Sequence, residues 1–194
     1  MAPVDIGDRL RALPGGTAAT LKLDPREYAD HYLAVLNATL RDVGSETDAH
    51  TIYVAVTSPA AFVWSLAQTL DVPADRISFV DAISHIMMNY ANPLPNATYV
   101  ESPRALEEIM LRVEFLLRKF PHPRSIVVVD SVNSLAIHNP PELLSEFFHI
   151  LLNNLKSRSV LTLVLETSED ETTGIEQMLN LVVDETIDVA RAGR

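Results

Sequence analysis

Two runs, Ile126-Val127-Val128-Val129-Asp130 and Val160-Leu161-Thr162-Leu163-Val164-Leu165-Glu166, constrain this chain more than any other feature. A strand with one wet face alternates apolar and polar side chains, whereas a strand covered on both faces can be apolar at consecutive positions. The two runs therefore predict central strands of a parallel sheet lying between layers of helix. Further strands are expected at Thr17–Leu23, Thr51–Val56, Ile77–Val80 and Thr186–Val189, with the central pair at Ser125–Asp130 and Val160–Glu166.

Segments of helical period separate these strands. Leu106, Ile109, Met110, Val113, Leu116, Leu117 and Phe120 recur at steps of three and four and form one apolar stripe, a core face. The segment after Asn139 is apolar over a wider arc, from Leu143, Leu144, Phe147 and Phe148 to Ile150, Leu151, Leu152 and Leu155, which fits deep burial or a partner surface. Helix starts are expected at Asp24-Pro25-Arg26-Glu27, Ser58-Pro59, Ser102-Pro103 and Asn139-Pro140-Pro141-Glu142, where a capping side chain precedes a proline. The fold class is α/β, a three-layer, mostly parallel sheet with helices on both faces. Residues 1–16, closing in Pro14-Gly15-Gly16, are expected to be a loose lead-in, and residues 17–194 one domain.

Composition narrows the function. The chain has 194 residues, 15 Lys plus Arg against 26 Asp plus Glu, and only three lysines, Lys22, Lys119 and Lys156. A net charge of −11 opposes binding to nucleic acid or to anionic membrane. No window approaches the roughly 18 apolar residues of a membrane span, and the start of the chain does not read as a secretory signal. The absence of cysteine removes thiolate chemistry and fits a reducing compartment, so the cytoplasm is the expected location. The six histidines (His31, His50, His85, His122, His138 and His149) have no tight ligand spacing, and no G-x-S-x-G elbow is present.

Asp130-Ser131 is the sharpest chemical signal. An apolar strand ending in aspartate is how nucleotide hydrolases place a carboxylate beside magnesium, although an aspartate can equally end a strand and cap a turn. From about Thr17 to Val189 the order of segments resembles the RecA-like ATPase core in its KaiC-related branch. The resemblance rests on Thr51–Val56, on Ile77–Ser84, on Tyr99-Val100-Glu101-Ser102-Pro103, on Ile126–Asn139 with its Asp130-Ser131 pair, and on Leu181–Ile187. It implies a RecA-like, P-loop NTPase-type sheet, with Asp130 and Ser131 in the Walker B position near magnesium.

Three departures accompany the resemblance. The phosphate loop of that superfamily, G-x-x-x-x-G-K-[ST], wraps phosphates in backbone N–H groups, yet this sequence has no Gly-Lys dipeptide. Where the loop belongs, Asp24, Pro25 and Arg26 lead directly into a helix, and Asp24 with Glu27 forms a capping-box-like pair at the end a phosphate would use. The paired glutamates that follow the second strand in the family are replaced by Thr57-Ser58-Pro59. Glu166 and Asp81 are candidate substitutes for the water-orienting base, though each also reads as a polar strand end facing solvent. Pro14-Gly15-Gly16-Thr17 precedes the first strand and so belongs to the opposite sheet edge. The acidic run Glu169-Asp170-Glu171 reads as a solvated loop.

Two readings follow. In one, a non-catalytic or weakly nucleotide-binding RecA/KaiC-like domain needs no cofactor and serves as a regulatory or scaffold protein, through a protein partner or self-association. In the other, a KaiC-like ATPase binds ATP and Mg through a non-standard loop, with Asp130 at the metal and Glu166 as the catalytic candidate.

Overall fold

The computed structural model describes residues 5–43, 48–87, 93–167 and 173–189. In chain order the elements are α1 (Ile6–Ala12), β1 (Ala18–Leu23), α2 (Tyr28–Leu36, continued as a π-helical segment Asn37–Val43), β2 (Ala49–Ala55), α3 (Ala60–Thr69), β3 (Ile77–Asp81) and β4 (Ala97–Tyr99). Then follow α4 (Leu106–Lys119), β5 (Arg124–Asp130), α5 (Val132–His138), α6 (Pro141–Ser157), β6 (Leu161–Thr167), α7 (Thr173–Asn180) and β7 (Glu185–Asp188). The strands form one sheet in the order β4-β3-β2-β5-β6-β1-β7, and every pairing is parallel.

The connections explain the three layers. From β1 the chain steps through β2 and β3 to β4 in one direction, then from β5 through β6 to β7 in the other. Parallel crossovers are right-handed, so opposite directions put their helices on opposite faces. Accordingly, Tyr53, Ile126, Val128, Leu163 and Leu165 pack with Leu10, Val35, Leu36 and Val63 of α1–α3. The alternate residues Ile52, Val54, Val127, Val129 and Val164 pack with Ile109, Leu135, Phe148 and Leu179 of α4–α7. The two apolar runs are the central strands β5 and β6, buried on both sides as the consecutive pattern requires.

Several local expectations are corrected. The supposed lead-in holds α1, whose Ile6 and Leu10 are buried in the first core, and Arg124 ties its end down by donating to the Leu13 carbonyl at 3.0 Å. Only Asp24 caps as expected, accepting from Arg26 N at 2.8 Å. The first turn of α3 is held by Asp81, which accepts from Ala60 N at 2.8 Å, and not by Ser58. Ser102 accepts from Arg104 N ahead of α4, and Asn139 donates to the carbonyls of Pro103 and Leu135, bridging two segments in place of a cap. The edge strand β4 was not expected, because three half-buried residues carry no periodicity to read. In α6 the wide arc resolves into six buried residues, with Leu143 and Ile150 left exposed.

Gly15 and Gly16 have a packing role at the amino edge of the sheet. A Cβ on Gly15 would stand 2.7 Å from the Ser159 carbonyl oxygen, and Gly16 has φ +86°.

Candidate functional site at the carboxyl edge

The sheet reverses its winding between β2 and β5, and a parallel sheet opens a crevice beyond its carboxyl ends at such a point. The chain leaving β2 is held to the end of β5 there, because Val56 N and Thr57 N both donate to the Asp130 carbonyl, at 2.8 and 2.9 Å.

Asp130 ends β5 on the α2 side and is 1% exposed. Its Oδ2 accepts from the Tyr53 hydroxyl at 2.6 Å and from the Tyr32 hydroxyl at 3.0 Å, and the two phenol oxygens are 2.9 Å apart. Oδ1 has no hydrogen-bond partner among the described residues. Burial pushes the Asp130 carboxyl above the usual carboxylate range, against the pull of the Tyr53, Thr57 and Tyr32 hydroxyls. Burial and then the Asp130 charge push the phenols of Tyr28, Tyr32 and Tyr53 up, so all three keep their protons at neutral pH.

Ser131, the second residue of the pair, joins Thr57 and Ser134 in a triangle of hydroxyls. Thr57 donates to Ser131 at 3.2 Å, Thr57 and Ser134 are 2.8 Å apart, and Ser131 and Ser134 are 3.2 Å apart. The triangle lines a cavity of about 460 Å³, with Asn133, Thr167, Tyr28, Ile137 and Ile175 among its walls. Asn133 spends its amide on β6, donating to the Thr167 carbonyl at 3.2 Å and accepting from Thr167 N at 2.8 Å. Tyr28 stacks on Tyr32 with ring centroids 5.6 Å apart, which links the mouth of the cavity to the Asp130 network.

The remaining predicted residues lie apart from this centre. Asp24, Pro25 and Arg26 follow β1, which β6 separates from β5. Besides accepting from Arg26 N, Asp24 donates its own N–H to His31 Nδ1 at 3.1 Å, closing the turn into α2. Glu166 sits on the opposite face from Asp130, in register with Lys22. At 2% exposure it is not a solvent-facing strand end. Burial pushes its carboxyl up, Lys22 opposes this and Glu176 adds to it, while Lys22 forms its ion pair with Glu176 of α7. Glu166 Oε2 has no partner among the described residues. Asp81 is also buried, and is fully engaged: beyond the α3 bond it accepts from Ile83 N, Ser84 N and Ser84 Oγ at 2.7–3.0 Å. The run Glu169–Glu171 lies outside the described residues.

Sequence reasoning missed Tyr32 and Tyr53. The available signal was Tyr53 within the apolar run Ile52–Val56, since a buried phenol needs a hydrogen-bond partner. Thr57 and Ser134 carried no such signal, because their hydroxyls meet only after the chain has crossed the sheet.

No protein-family model matches this sequence, and neither does any curated protein. Among solved structures, the chain is similar to a KaiC-like protein from the hyperthermophilic archaeon Pyrococcus horikoshii OT3, with a TM-score of 0.65 over 95% of this chain and 77% of that one. Sequence identity is 12%, so the likeness speaks for architecture. Together with seven parallel strands carrying helices on both faces, it makes this an α/β protein with the RecA/KaiC-like fold.

Proposed function

We propose that this chain is a RecA/KaiC-like domain that does not hydrolyse nucleotide and acts as a regulatory or scaffold protein through contacts with other proteins or with itself. The observation that carries the reading is the engagement of Asp130. A Walker-B-type aspartate serves magnesium, but here one carboxylate oxygen is already held by two tyrosine hydroxyls in a buried network. The β1–α2 turn supports the same reading. A phosphate at a helix start needs free N–H donors and no competing anion, whereas the Asp24 carboxylate occupies Arg26 N and Pro25 has no N–H to offer. The residues at this edge thus fit a magnesium nucleotide poorly. Glu166 faces the other side of the sheet from Asp130, so the two carboxylates do not form one hydrolytic centre.

A contact role draws support from large apolar side chains at the surface, among them Ile137 and Leu181 at 79% and 84% exposure. The test is thermal unfolding with and without millimolar ATP and magnesium. A ligand at about 100 times its Kd adds roughly 2.7 kcal/mol, a shift of several degrees. We expect no shift, and a shift of that size overturns the reading.

A further inference from the structure

Helix α4 has an outer face that no described residue covers. Val113, at the middle of the helix, is buried toward the sheet together with Ile109 and Leu116, so side chains set symmetrically about it on the opposite side point outward. At the centre of that outer side stand Leu111 and Phe115, 60% and 46% exposed. Glu107 and Glu108 precede this pair, and Arg118 and Lys119 follow it. Carboxylates in a first turn and cations in a last turn suit the helix dipole, which accounts for the charges but not for two large apolar side chains left in water between them.

The order of these residues makes the strip complementary to itself. When two copies of α4 lie antiparallel across a two-fold axis over Val113, Leu111 of one faces Phe115 of the other, and Glu107 and Glu108 face Lys119 and Arg118. A parallel arrangement sets like charge on like charge. Glu107 and Arg118 have no ion-pair partner among the described residues, and Glu108 bonds Arg112 one turn on through Oε1 at 2.9 Å. Lys119 holds its ammonium 5.8 Å from the centroid of the Phe115 ring, at the border of the apolar centre.

Net charge singles out the same face. At −11 two copies of the chain repel, so self-association needs a surface where the excess of carboxylates is cancelled locally. On this strip the carboxylates of Glu107 and Glu108 stand with three cations, Arg112, Arg118 and Lys119. Glu114 is engaged elsewhere, accepting from the Asn154 amide of α6 at 2.6 Å. On one flank, a groove of about 390 Å³ between α4 and α6 is lined by Met110, Leu143, Phe147 and Ile150, which widens the apolar strip.

We propose that α4 joins two copies of this chain in an antiparallel, two-fold dimer, with Leu111 against Phe115 and Glu107 and Glu108 against Lys119 and Arg118. The inference rests on the contact role proposed above and names the partner as a second copy. A helix of 14 residues is about 21 Å long and supplies less than the roughly 800 Å² per partner of a standard interface, so the dimer is weak and is populated near about 100 µM protein.

Sedimentation velocity of the full chain from about 5 to about 500 µM tests it. The chain should pass from monomer to dimer over this range, and added salt should favour the monomer. Glu107→Lys with Glu108→Lys should weaken the dimer at least about tenfold, as should Arg118→Glu with Lys119→Glu. Mixing these two variants should restore a dimer containing one of each. All four reversals in one chain should restore the homodimer, an outcome that only the antiparallel contact allows. Leu111→Gln with Phe115→Gln, which keeps good helix formers at exposed positions, should stay monomeric with an unchanged circular dichroism spectrum. A dimer indifferent to all these changes, or growth beyond the dimer, would overturn the α4 interface. A monomer throughout would overturn it as well and leave the strip to another protein. These outcomes are separate from the test of the reading above, which falls to a magnesium-ATP shift in thermal unfolding.

Discussion

Tyr53, in the middle of β2, donates a 2.6 Å hydrogen bond to Oδ2 of Asp130, the residue that ends the neighbouring strand β5. The two are not paired across the ladder, since Tyr53 lies opposite Val128, so the phenol reaches along the sheet toward its carboxyl edge. Both groups are buried, which makes the bond costly to remove: Tyr53→Phe leaves an acceptor short of a partner and should cost about 1–3 kcal/mol. Tyr32→Phe, with its longer 3.0 Å bond, should cost less, and the double variant should be non-additive. Urea unfolding at pH 7 measures all three.

Asp130→Asn should change the pH dependence of stability. The native carboxyl is held above its unfolded value, so its contribution is present below an unfolded pKa of about 3.9 and is lost as pH rises through the folded value. The variant should therefore gain on the wild type as pH rises above about 4. Glu166→Gln should act in the same direction, because burial raises that carboxyl too. Parallel stability curves for wild type and variants would count against this.

His50 should act with the opposite sign. Its ring bonds the Asp75 carbonyl and the Ser78 hydroxyl, each at 3.0 Å, and stacks with Phe120 and with His122 at centroid distances of 4.9 and 5.1 Å. Burial lowers its pKa against the pull of Asp75, with His122 and Arg76 adding to the lowering. Stability is then present above the unfolded value of about 6.5 and lost as pH falls toward the folded one. In chemical denaturation at pH 7.5 and pH 5, His50→Phe should lose less stability on acidification than the wild type.

Gly15→Ala should destabilise the protein by about 1–3 kcal/mol, the usual cost of an overpacked site. Its new methyl would lie 2.7 Å from a backbone oxygen of Ser159, which cannot swing aside as a side chain can. Differential scanning calorimetry would show a lower Tm with an otherwise similar transition.

The architecture was legible because it depends on patterns that repeat along the chain. Consecutive apolar residues in 126–130 and 160–166 demand cover on both faces, and the segments between them have the period to provide it. The absence of Gly-Lys and the carboxylate at Asp24 were likewise visible, since capping is settled within three residues. Capping by Ser58 failed because a buried carboxylate from a distant strand, Asp81, took the same N–H group. The tyrosine network at Asp130, the hydroxyl triangle of Thr57, Ser131 and Ser134, and the separation of Glu166 onto the far face were decided only by tertiary structure. Each joins residues that are remote in sequence or depends on which sheet face a side chain takes. That is fixed by strand order and handed crossovers, which local propensity does not encode.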